Sequence, residues 1–331
     1  MLYYVMRRFV YMLILLWVLS IVSFIIIQLP PGDFLSSYVI RLARSGQLVD
    51  KAQLLSLRKR YGLDLPIYVQ YFKWIWNILH GNLGMSFMYN VPVTKLVGER
   101  LAFTVTISIF TLIFTYVVAI PIGIYSATHQ YSVGDNAFTT IGFIGLATPN
   151  FLLALVLMFL FFKCFGLSIG GLFSPEYIWA PWSIGKIIDM LKHFPIPIIV
   201  IGTAGTAGLI RVMRGCLLDE LQKQYVITAR AKGVGERTLL FKYPVRIAVN
   251  PIISTIGWML PLIVSGETIT AIVLSLPTTG PLLFDALKSQ DMFLAASIVM
   301  ILGFLTVTGT FLSDILLAWM DPRIRYERQG R

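Results

Sequence analysis

Long apolar runs without charge alternate along the chain with shorter stretches that carry almost all of its charged residues. Six runs contain no Asp, Glu, Lys or Arg, namely Phe9–Leu29, Leu101–Ala127, Phe138–Phe162, Phe194–Ile210, Ile247–Gly266 and Met292–Ser313. A helix rises 1.5 Å per residue, so about 20 residues cross the ~30 Å apolar core of a bilayer. The pattern therefore predicts an all-α membrane protein with six transmembrane helices.

The fourth run is the shortest of the six and is rich in helix-perturbing residues, namely Pro195, Pro197, Gly202, Gly205 and Gly208. Small residues spaced by three allow neighbouring helices to approach closely. Proline is tolerated in a span when neighbouring groups satisfy the freed backbone. We expect tight helix packing around this run, with a role in gating as the alternative.

Composition supports a membrane protein and limits its partners. Only 13% of the residues are charged, against about 25% in an average soluble domain. The net charge of +11 would suggest nucleic acid as the partner of a soluble protein, but no motif of a nucleic-acid reader is present. We therefore expect this chain to contact membrane lipid and no nucleic acid.

The distribution of Lys and Arg predicts the orientation, because cytoplasmic loops carry an excess of both. With the N-terminus inside, the inner segments contain fourteen Lys and Arg, and the short outer segments contain four. The outer segment 30–100 contains nine, but loops of this length are translocated largely regardless of charge. We predict one transmembrane domain over 1–331, multi-pass in the cell (inner) membrane, with both termini and segment 211–246 in the cytoplasm.

Segment 30–100 is predicted to form a helical extracytoplasmic insertion. Asp50 and Gln53 fit a capping box at the start of a helix that ends at Tyr61. Pro66 fits the first position of a second helix.

That second helix, over 67–79, carries aromatic side chains typical of the membrane–water interface, namely Tyr68, Tyr71, Phe72, Trp74 and Trp76. Residues 92–100 are expected to form a short elbow that leads into the second span.

No motif for covalent chemistry is found along the chain. The phosphate-binding pattern G-x-x-x-x-G-K-[ST] is absent, and the three histidines are scattered, so no Cys/His cluster suggests a metal. We predict no catalytic residue, no metal site and no cofactor in this chain. The two cysteines, Cys164 and Cys216, are predicted to fall on opposite sides of the membrane and to remain unbridged.

Glu267, at the outer end of the fifth run, is the candidate for an outer gate. Ionisable groups in spans are functional candidates because a charge at the bilayer centre costs at least ~2.5–3.5 kcal/mol. The alternative is a carboxylate that reaches interfacial water or caps a helix. An ion-coupled carrier would usually need a carboxylate or an unwound ion site near the midplane, and the sequence offers none.

Segment 211–246 is the longest charged stretch between two predicted spans after the insertion. It contains eight Lys or Arg and three acidic residues. The pattern predicts two short helices, Leu217–Lys232 and Glu236–Tyr243, with Gly233 and Gly235 supplying the backbone freedom for a hinge between them.

This segment resembles the cytoplasmic coupling loop of ABC-importer permeases. Their general signature E-A-A-x-x-x-G is kept only at Ala229 and Gly233. The form found in the B-type permease subunits of the dipeptide, oligopeptide and nickel importer family is closer, and it matches Tyr225-Val226-Ile227-Thr228-Ala229-Arg230-Ala231-Lys232-Gly233. Further pieces occur in the family's order, including Pro31-Gly32-Asp33, Arg60-Tyr61-Gly62-Leu63-Asp64, Gly81-Asn82-Leu83-Gly84 with Ser86, Gly266-Glu267-Thr268 and Asp321-Pro322-Arg323.

The resemblance implies a permease subunit of an ATP-driven importer with the type I permease fold and no ATPase site of its own. Its implied partners are a homologous second permease subunit, cytoplasmic ABC ATPase subunits that bind ATP and Mg, and an extracytoplasmic solute-binding protein. The expected substrates are oligopeptides or dipeptides. Oligosaccharides are the alternative within the family, and nickel ranks third because the predicted spans lack His and Cys. A stand-alone channel or secondary carrier is the alternative of a different class.

The resemblance also assigns ATPase coupling to Thr228, Ala229, Arg230, Ala231, Lys232, Gly233, Glu236 and Arg237. The expected mode is a short helix seated in a groove of the ATPase. The apolar anchors would be Val226, Ala229, Leu239, Leu240 and Phe241. The alternative is a basic loop held against anionic lipid at roughly 1 kcal/mol per cation, which would need neither a glycine hinge nor fixed anchors.

Overall fold

The computed structural model describes residues 2–28, 65–86, 88–165, 170–257, 259, 262–263 and 268–320. Thirteen helices have their bounds within these residues, residues 256–257, 259 and 262–263 are also helical, and apart from one isolated bridge the described residues contain no β-structure. The bounds are α1 Leu2–Gln28, α2 Ile67–Leu79, α3 Val93–Thr128, α4 Val133–Ala147, α5 Asn150–Phe165, α6 Ile184–His193, α7 Pro195–Leu221, α8 Gln224–Ala231, α9 Glu236–Lys242, α10 Pro244–Ser254, α11 Thr268–Val273, α12 Thr279–Lys288 and α13 Met292–Met320. The predicted helix that starts at Asp50 lies outside the described residues.

Four helical stretches are long and apolar enough to cross a membrane, namely Tyr3–Ile26, Val93–Thr128, Ile184–Leu221 and Met292–Leu316. The pair α4 and α5 makes a fifth if it counts as one bent span. The all-α class is thus confirmed for the described residues. The count of six stays a prediction, because the fifth predicted run falls partly on residues that are not described.

The third predicted run is broken into α4 and α5, whose axes differ by 106°. The break falls at Thr148 and Pro149. Thr148 has an extended backbone, with φ −87° and ψ 121°, because the ring of a following proline disfavours the helical region. One helix over 138–162 is therefore a wrong prediction, and two short helices replace it.

The approach to the second span also differs from the prediction. α3 starts at Val93 and continues to Thr128 without interruption, so residues 92–100 form no separate elbow. α2 begins at Ile67 and ends at Leu79, as predicted. Pro66 was expected at the first helical position and is instead the N-cap, one position earlier.

The chain divides into two compact units, and the larger comprises residues 1–10, 104–277 and 308–331. Its central helix is α7, which packs against α4, α5, α6 and α10. Met213 and Leu217 of α7 are fully buried, together with Ile252 of α10. This shared core joins α7 to α10, the two helices that flank the charged segment.

Close packing around α7 is confirmed at two of the three glycines of the fourth apolar run. A Cβ at Gly202 would lie 2.9 Å from the ring of Phe114, and one at Gly205 would lie 3.0 Å from Met259. Gly208 meets nothing within 4 Å. Two glycines thus let neighbouring side chains approach the helix.

Two polar contacts in this unit join helices that are far apart in the sequence. Arg8 and Asp314 form an ion pair at 2.9 Å. The hydroxyl of Tyr116 lies 2.6 Å from that of Thr255. Both cysteines are free.

The smaller unit comprises residues 11–103 and 278–307. One face of α2 packs into this unit, where Trp74 and Tyr71 contact Phe24 of α1. The other face is exposed, with Phe72 and Trp76 among its aromatic residues. The predicted interfacial set therefore divides, because Tyr71 and Trp74 belong to the core.

Asp291 organises the segment that precedes α3. Its buried carboxylate accepts hydrogen bonds from the hydroxyl of Ser86 at 2.6 Å and from the backbone N–H of Met88 at 3.0 Å. It also accepts the N–H of Leu294 at 3.2 Å, in the first turn of α13. Ser86 thus serves to connect this segment to the start of α13.

The packing of α3 against α7 can be tested at Gly123. A methyl group there would lie 2.6 Å from Cβ of Met213 and 3.2 Å from the carbonyl oxygen of Ile210. Neither of these atoms can move away without a shift of the α7 backbone. We therefore expect Gly123→Ala to lower the free energy of unfolding by about 1–3 kcal/mol. The measurement is the Tm of the purified protein in detergent.

The matched control is Gly98→Ala on the same helix, where a methyl group would meet nothing within 4 Å. Its Tm should stay the same or rise slightly, since alanine favours helix more than glycine does. Equal Tm values for the two variants would contradict the packing of α3 on α7.

Candidate functional site

α8 and α9 form a helical hairpin, residues 224–243, whose turn is closed by hydrogen bonds at the end of α8. The N–H of Val234 bonds to the carbonyl of Ala229 at 3.3 Å, and the N–H of Gly233 bonds to that of Arg230 at 3.0 Å. This pair of bonds is the Schellman motif, which needs a left-handed residue after the helix cap. Gly233 supplies it with φ +77°, so the predicted hinge glycine is confirmed.

Gly235 has no such role. Its φ of −59° is accessible to any residue, so the turn does not use the conformational freedom of glycine there. The prediction of a two-glycine hinge is therefore wrong for Gly235.

The hairpin has a small hydrophobic core of its own. Val226 and Leu239 are fully buried, and Ala229 is 9% exposed. Tyr225, Val234 and Tyr243 pack around these three residues. The prediction that Val226, Ala229 and Leu239 anchor this segment in a groove of a partner is therefore wrong. These side chains hold α8 against α9 and do not face outward.

Arg230 and Glu236 form a bidentate ion pair across the turn. The Nε–Oε1 and Nη2–Oε2 distances are 2.7 and 3.1 Å, and both side chains are largely exposed. The hydrogen bonds from Arg230 lower the pKa of Glu236 below its ordinary value. The pair is therefore complete at neutral pH and is lost only as the pH falls through this lowered pKa.

The outer surface of the hairpin combines exposed charges with exposed apolar side chains. Ile227 is 48% exposed and Phe241 is 60% exposed. Ala231 lies one turn after Ile227, Thr228 is its next neighbour in the chain, and both are also exposed. Lys232 and Arg237 of the predicted coupling set are exposed as well. The exposed surface of the hairpin is thus formed by residues that lie between those of its inner core along the sequence.

Both ends of the hairpin are attached closely to the core helices. α7 ends at Leu221, and only Gln222 and Lys223 separate it from α8. The hydroxyl of Tyr225 lies 2.5 Å from a carboxylate oxygen of Glu220 across this junction. Burial of the hydroxyl is the main cause that raises the pKa of Tyr225, and the hydrogen bond to Glu220 raises it further. A single helix over 217–232 is therefore a wrong prediction, because its first part belongs to α7.

On the other side, Tyr243 alone separates α9 from α10. Val245 and Ala248 of α10 are buried in the core that contains Leu217. The hairpin is therefore fixed at both ends to helices that share one core.

Sequence reasoning missed Asp135, a charged residue that fixes the position of α7. It is 2% exposed and accepts two hydrogen bonds from Arg214, at 2.9 and 3.0 Å. Ser132 caps α4 by accepting the N–H of Asp135 at 3.2 Å. The S-x-x-D pattern before an apolar run is a capping-box signal, so it could have predicted the start of α4.

A cleft of about 360 Å³ opens beside this ion pair. Arg211 lies at its edge, with its guanidinium 5.5 Å from the ring centre of Phe143. Within the described residues no three His, Cys, Asp or Glu side chains are close enough to hold a metal ion. Glu267, the candidate for an outer gate, lies outside the described residues.

Comparison with protein families places this geometry in a known context. Residues 119–326 match the family of binding-protein-dependent transport system inner membrane components. Residues 1–109 match the N-terminal domain of such membrane components. The chain belongs to this family. It is therefore a transport permease subunit and a multi-pass membrane protein.

Curated relatives match the permease over nearly its full length. The oligopeptide transport system permease protein AppB of Bacillus subtilis (strain 168) is 34% identical over 325 residues, which cover 98% of this chain and 99% of AppB. A protein of Sinorhizobium fredii, named "Probable peptide ABC transporter permease protein y4tP", is 29% identical over 324 residues, with coverage of 98% and 99%. Family membership implies an ATPase and a solute-binding protein as partners.

The role of Gly233 gives a test of the hairpin's local stability. Replacing it by alanine forces a side chain into the left-handed region, which costs roughly 1–2 kcal/mol. We expect Gly233→Ala to speed amide hydrogen exchange across residues 224–243 of the purified permease.

Gly235→Ala is the matched control, because its φ is ordinary and neither new methyl group would meet a neighbour within 4 Å. Its exchange should match that of the unmodified permease. Equal acceleration in both variants would show that the turn does not depend on a left-handed residue.

Proposed function

We propose that this permease is one of two homologous membrane subunits of an ATP-driven importer, and that it carries oligopeptides delivered by a solute-binding protein. The substrate class rests on the relatives, whose names describe oligopeptide or peptide transport. ATP and Mg would be bound by the ATPase subunits alone. This permease would line half of the path and perform no covalent chemistry.

The hairpin is the proposed docking site for the ATPase. The observation that carries this proposal is the exposure of Ile227 and Phe241 within a charged segment. Large apolar side chains at such a position lose contact with water when a partner covers them. Arg237 and Lys232 would add charged contacts at the rim, while the Arg230–Glu236 pair keeps the turn in shape.

The attachment of the hairpin suggests how force would reach the membrane. A pull on the hairpin acts on α7 and α10 together, because both helices share the core around Leu217. ATP shifts the balance between inward-facing and outward-facing states only through its different affinity for the two. We infer that the hairpin transmits this difference as a rigid-body movement of packed helices.

The orientation follows from the positive-inside rule, with the hairpin and both termini in the cytoplasm. A cytoplasmic hairpin is what docking to an ATPase requires. Under this orientation segment 30–100 is the extracytoplasmic insertion of a single domain, and Glu267 stays the proposed outer gate.

A secondary carrier is the candidate of a different class, and the pairing of carboxylates argues against it. Asp135 and Asp314 are each bound to an arginine. Among the described spans these two carboxylates thus have a cationic partner, which a proton- or ion-coupling group would need to release.

The docking proposal is tested by Ile227→Glu and Phe241→Glu in the complete importer reconstituted in vesicles. We expect either change to reduce ATP-driven uptake of a labelled oligopeptide library strongly and to weaken co-purification of the ATPase. A carboxylate at either position would have to be desolvated in the contact.

Gln222→Glu is the control, since it adds the same charge at an exposed position in the turn before α8. It should leave uptake unchanged. Full uptake with Ile227→Glu and Phe241→Glu together would contradict docking through this surface. Uptake of a labelled oligosaccharide in place of the peptides would contradict the substrate class and leave the docking intact.

A further inference from the structure

α6 has an apolar face that no described part of the protein covers. This helix precedes α7 in the chain, whereas the hairpin follows α7. Ile184, Ile187, Ile188 and Leu191 are 79%, 44%, 50% and 49% exposed. Their spacing of i, i+3, i+4 and i+7 places them on one side of the helix. The hydrophobic side of this helix therefore points away from the core of its own chain.

The charged side of α6 is turned toward the protein instead. Lys186 is 7% exposed and donates hydrogen bonds to the carbonyl oxygens of Ala180 at 2.7 Å and Ile178 at 3.4 Å. Its ammonium group also lies 4.9 Å from the ring centre of Phe173 and 5.4 Å from that of Trp182. The lysine is thus fully satisfied by the preceding loop.

Asp189 is satisfied in the same way. Its carboxylate is 8% exposed and accepts the backbone N–H and the hydroxyl of Ser174, both at 2.7 Å. His193 lies 3.8 Å from the same carboxylate. The loop thus supplies partners for the charged side chains of α6, and the apolar side of the helix remains exposed.

The helix continues into the membrane span α7. Phe194 alone separates the two helices, and its own backbone is helical, with φ −63° and ψ −38°. Helical hydrogen bonds run through the junction, from the N–H of Phe194 to Met190 and from the N–H of Ile198 to Phe194, each at 3.1 Å. The stretch Ile184–Leu221 qualifies as a single candidate span of 38 residues.

The apolar surface continues with it. Leu191, Pro195 and Ile199 follow one another at intervals of four and are all exposed, so the stripe of α6 leads directly onto the surface of α7. The uncharged part of α7 ends at Ile210 and, at 1.5 Å per residue, covers only about 25 Å of the ~30 Å apolar core. The exposed face of α6 supplies the missing apolar length at this end.

Two exposed tryptophans mark the same end of the span. Trp179 is 94% exposed and Trp182 is 61% exposed. Tryptophan is enriched where a membrane meets water, because its ring is apolar and its N–H is polar. A helix with one apolar face and flanking tryptophans is typical of the membrane interface.

We propose that the apolar face of α6 is seated in the lipid leaflet at this end of α7, with Trp179 and Trp182 at headgroup level. The occupant is the acyl-chain and glycerol region of the bilayer, because the face is continuous with that of a span. Under the orientation proposed above this leaflet is the extracytoplasmic one. This proposal requires only that the protein is a membrane permease of this family. It does not depend on which substrate the permease transports.

The test is spin-label accessibility in the complete importer, reconstituted in phosphatidylcholine/phosphatidylglycerol nanodiscs. Single nitroxides are placed by Ile187→Cys and Ile188→Cys in a background with Cys164→Ser and Cys216→Ser. Collision with oxygen reports lipid and collision with a water-soluble nickel chelate reports water. We expect the oxygen-to-nickel ratio at both positions to be several-fold higher than at Glu176→Cys, an exposed position in the preceding loop.

Ile184→Cys is a second probe, because Ile184 is the most exposed residue of the stripe and its replacement disturbs packing least. A nickel-dominated profile at these positions, equal to that at Glu176→Cys, would overturn the lipid seat in favour of water. Labels protected from both reagents would also overturn it, since they would indicate a covering protein such as the second permease subunit or the binding protein.

Discussion

A carboxylate as deeply buried as Asp135 must keep a cationic partner, because an unpaired charge in an apolar environment is strongly destabilising. Its bidentate pairing with Arg214, at 2.9 and 3.0 Å, ties α4 to α7. α7 is the helix on which the larger unit is built, and it carries the hairpin at one end and α6 at the other. The ion pair therefore fixes the element through which the permease meets both its proposed ATPase and its proposed lipid seat.

Charged and apolar side chains are arranged in opposite ways at the two ends of α7. At the hairpin, Arg230 and Glu236 pair in the open and close a turn, while apolar residues divide between an inner core and an exposed surface. At α6, charged residues are buried against a loop and the apolar residues face outward. An apolar surface with charges around it suits a protein groove, whereas an apolar surface that continues a span suits lipid.

Periodicity and turn chemistry predicted α1, α2, α13 and a break at Gly233 that uses the backbone freedom of glycine, because these depend on local sequence. They failed where tertiary contacts decide. Val226 and Ile227 are equally apolar neighbours, and only the docking of α9 determines that Val226 is buried and Ile227 exposed. The break before Pro149 was readable from the proline alone. The pairing of Asp135 was not, since Arg214 lies far along the chain and nothing local connects them.

The central claim is that the exposed surface of the hairpin contacts the ATPase. Photo-cross-linking from a photoreactive amino acid at position 227 of the assembled importer tests it most directly, with position 199 on the exposed side of α7 as the lipid-facing comparison. The account predicts a covalent adduct with the ATPase subunit from position 227 and lipid adducts from position 199. Lipid adducts from position 227, with no ATPase adduct, would contradict it.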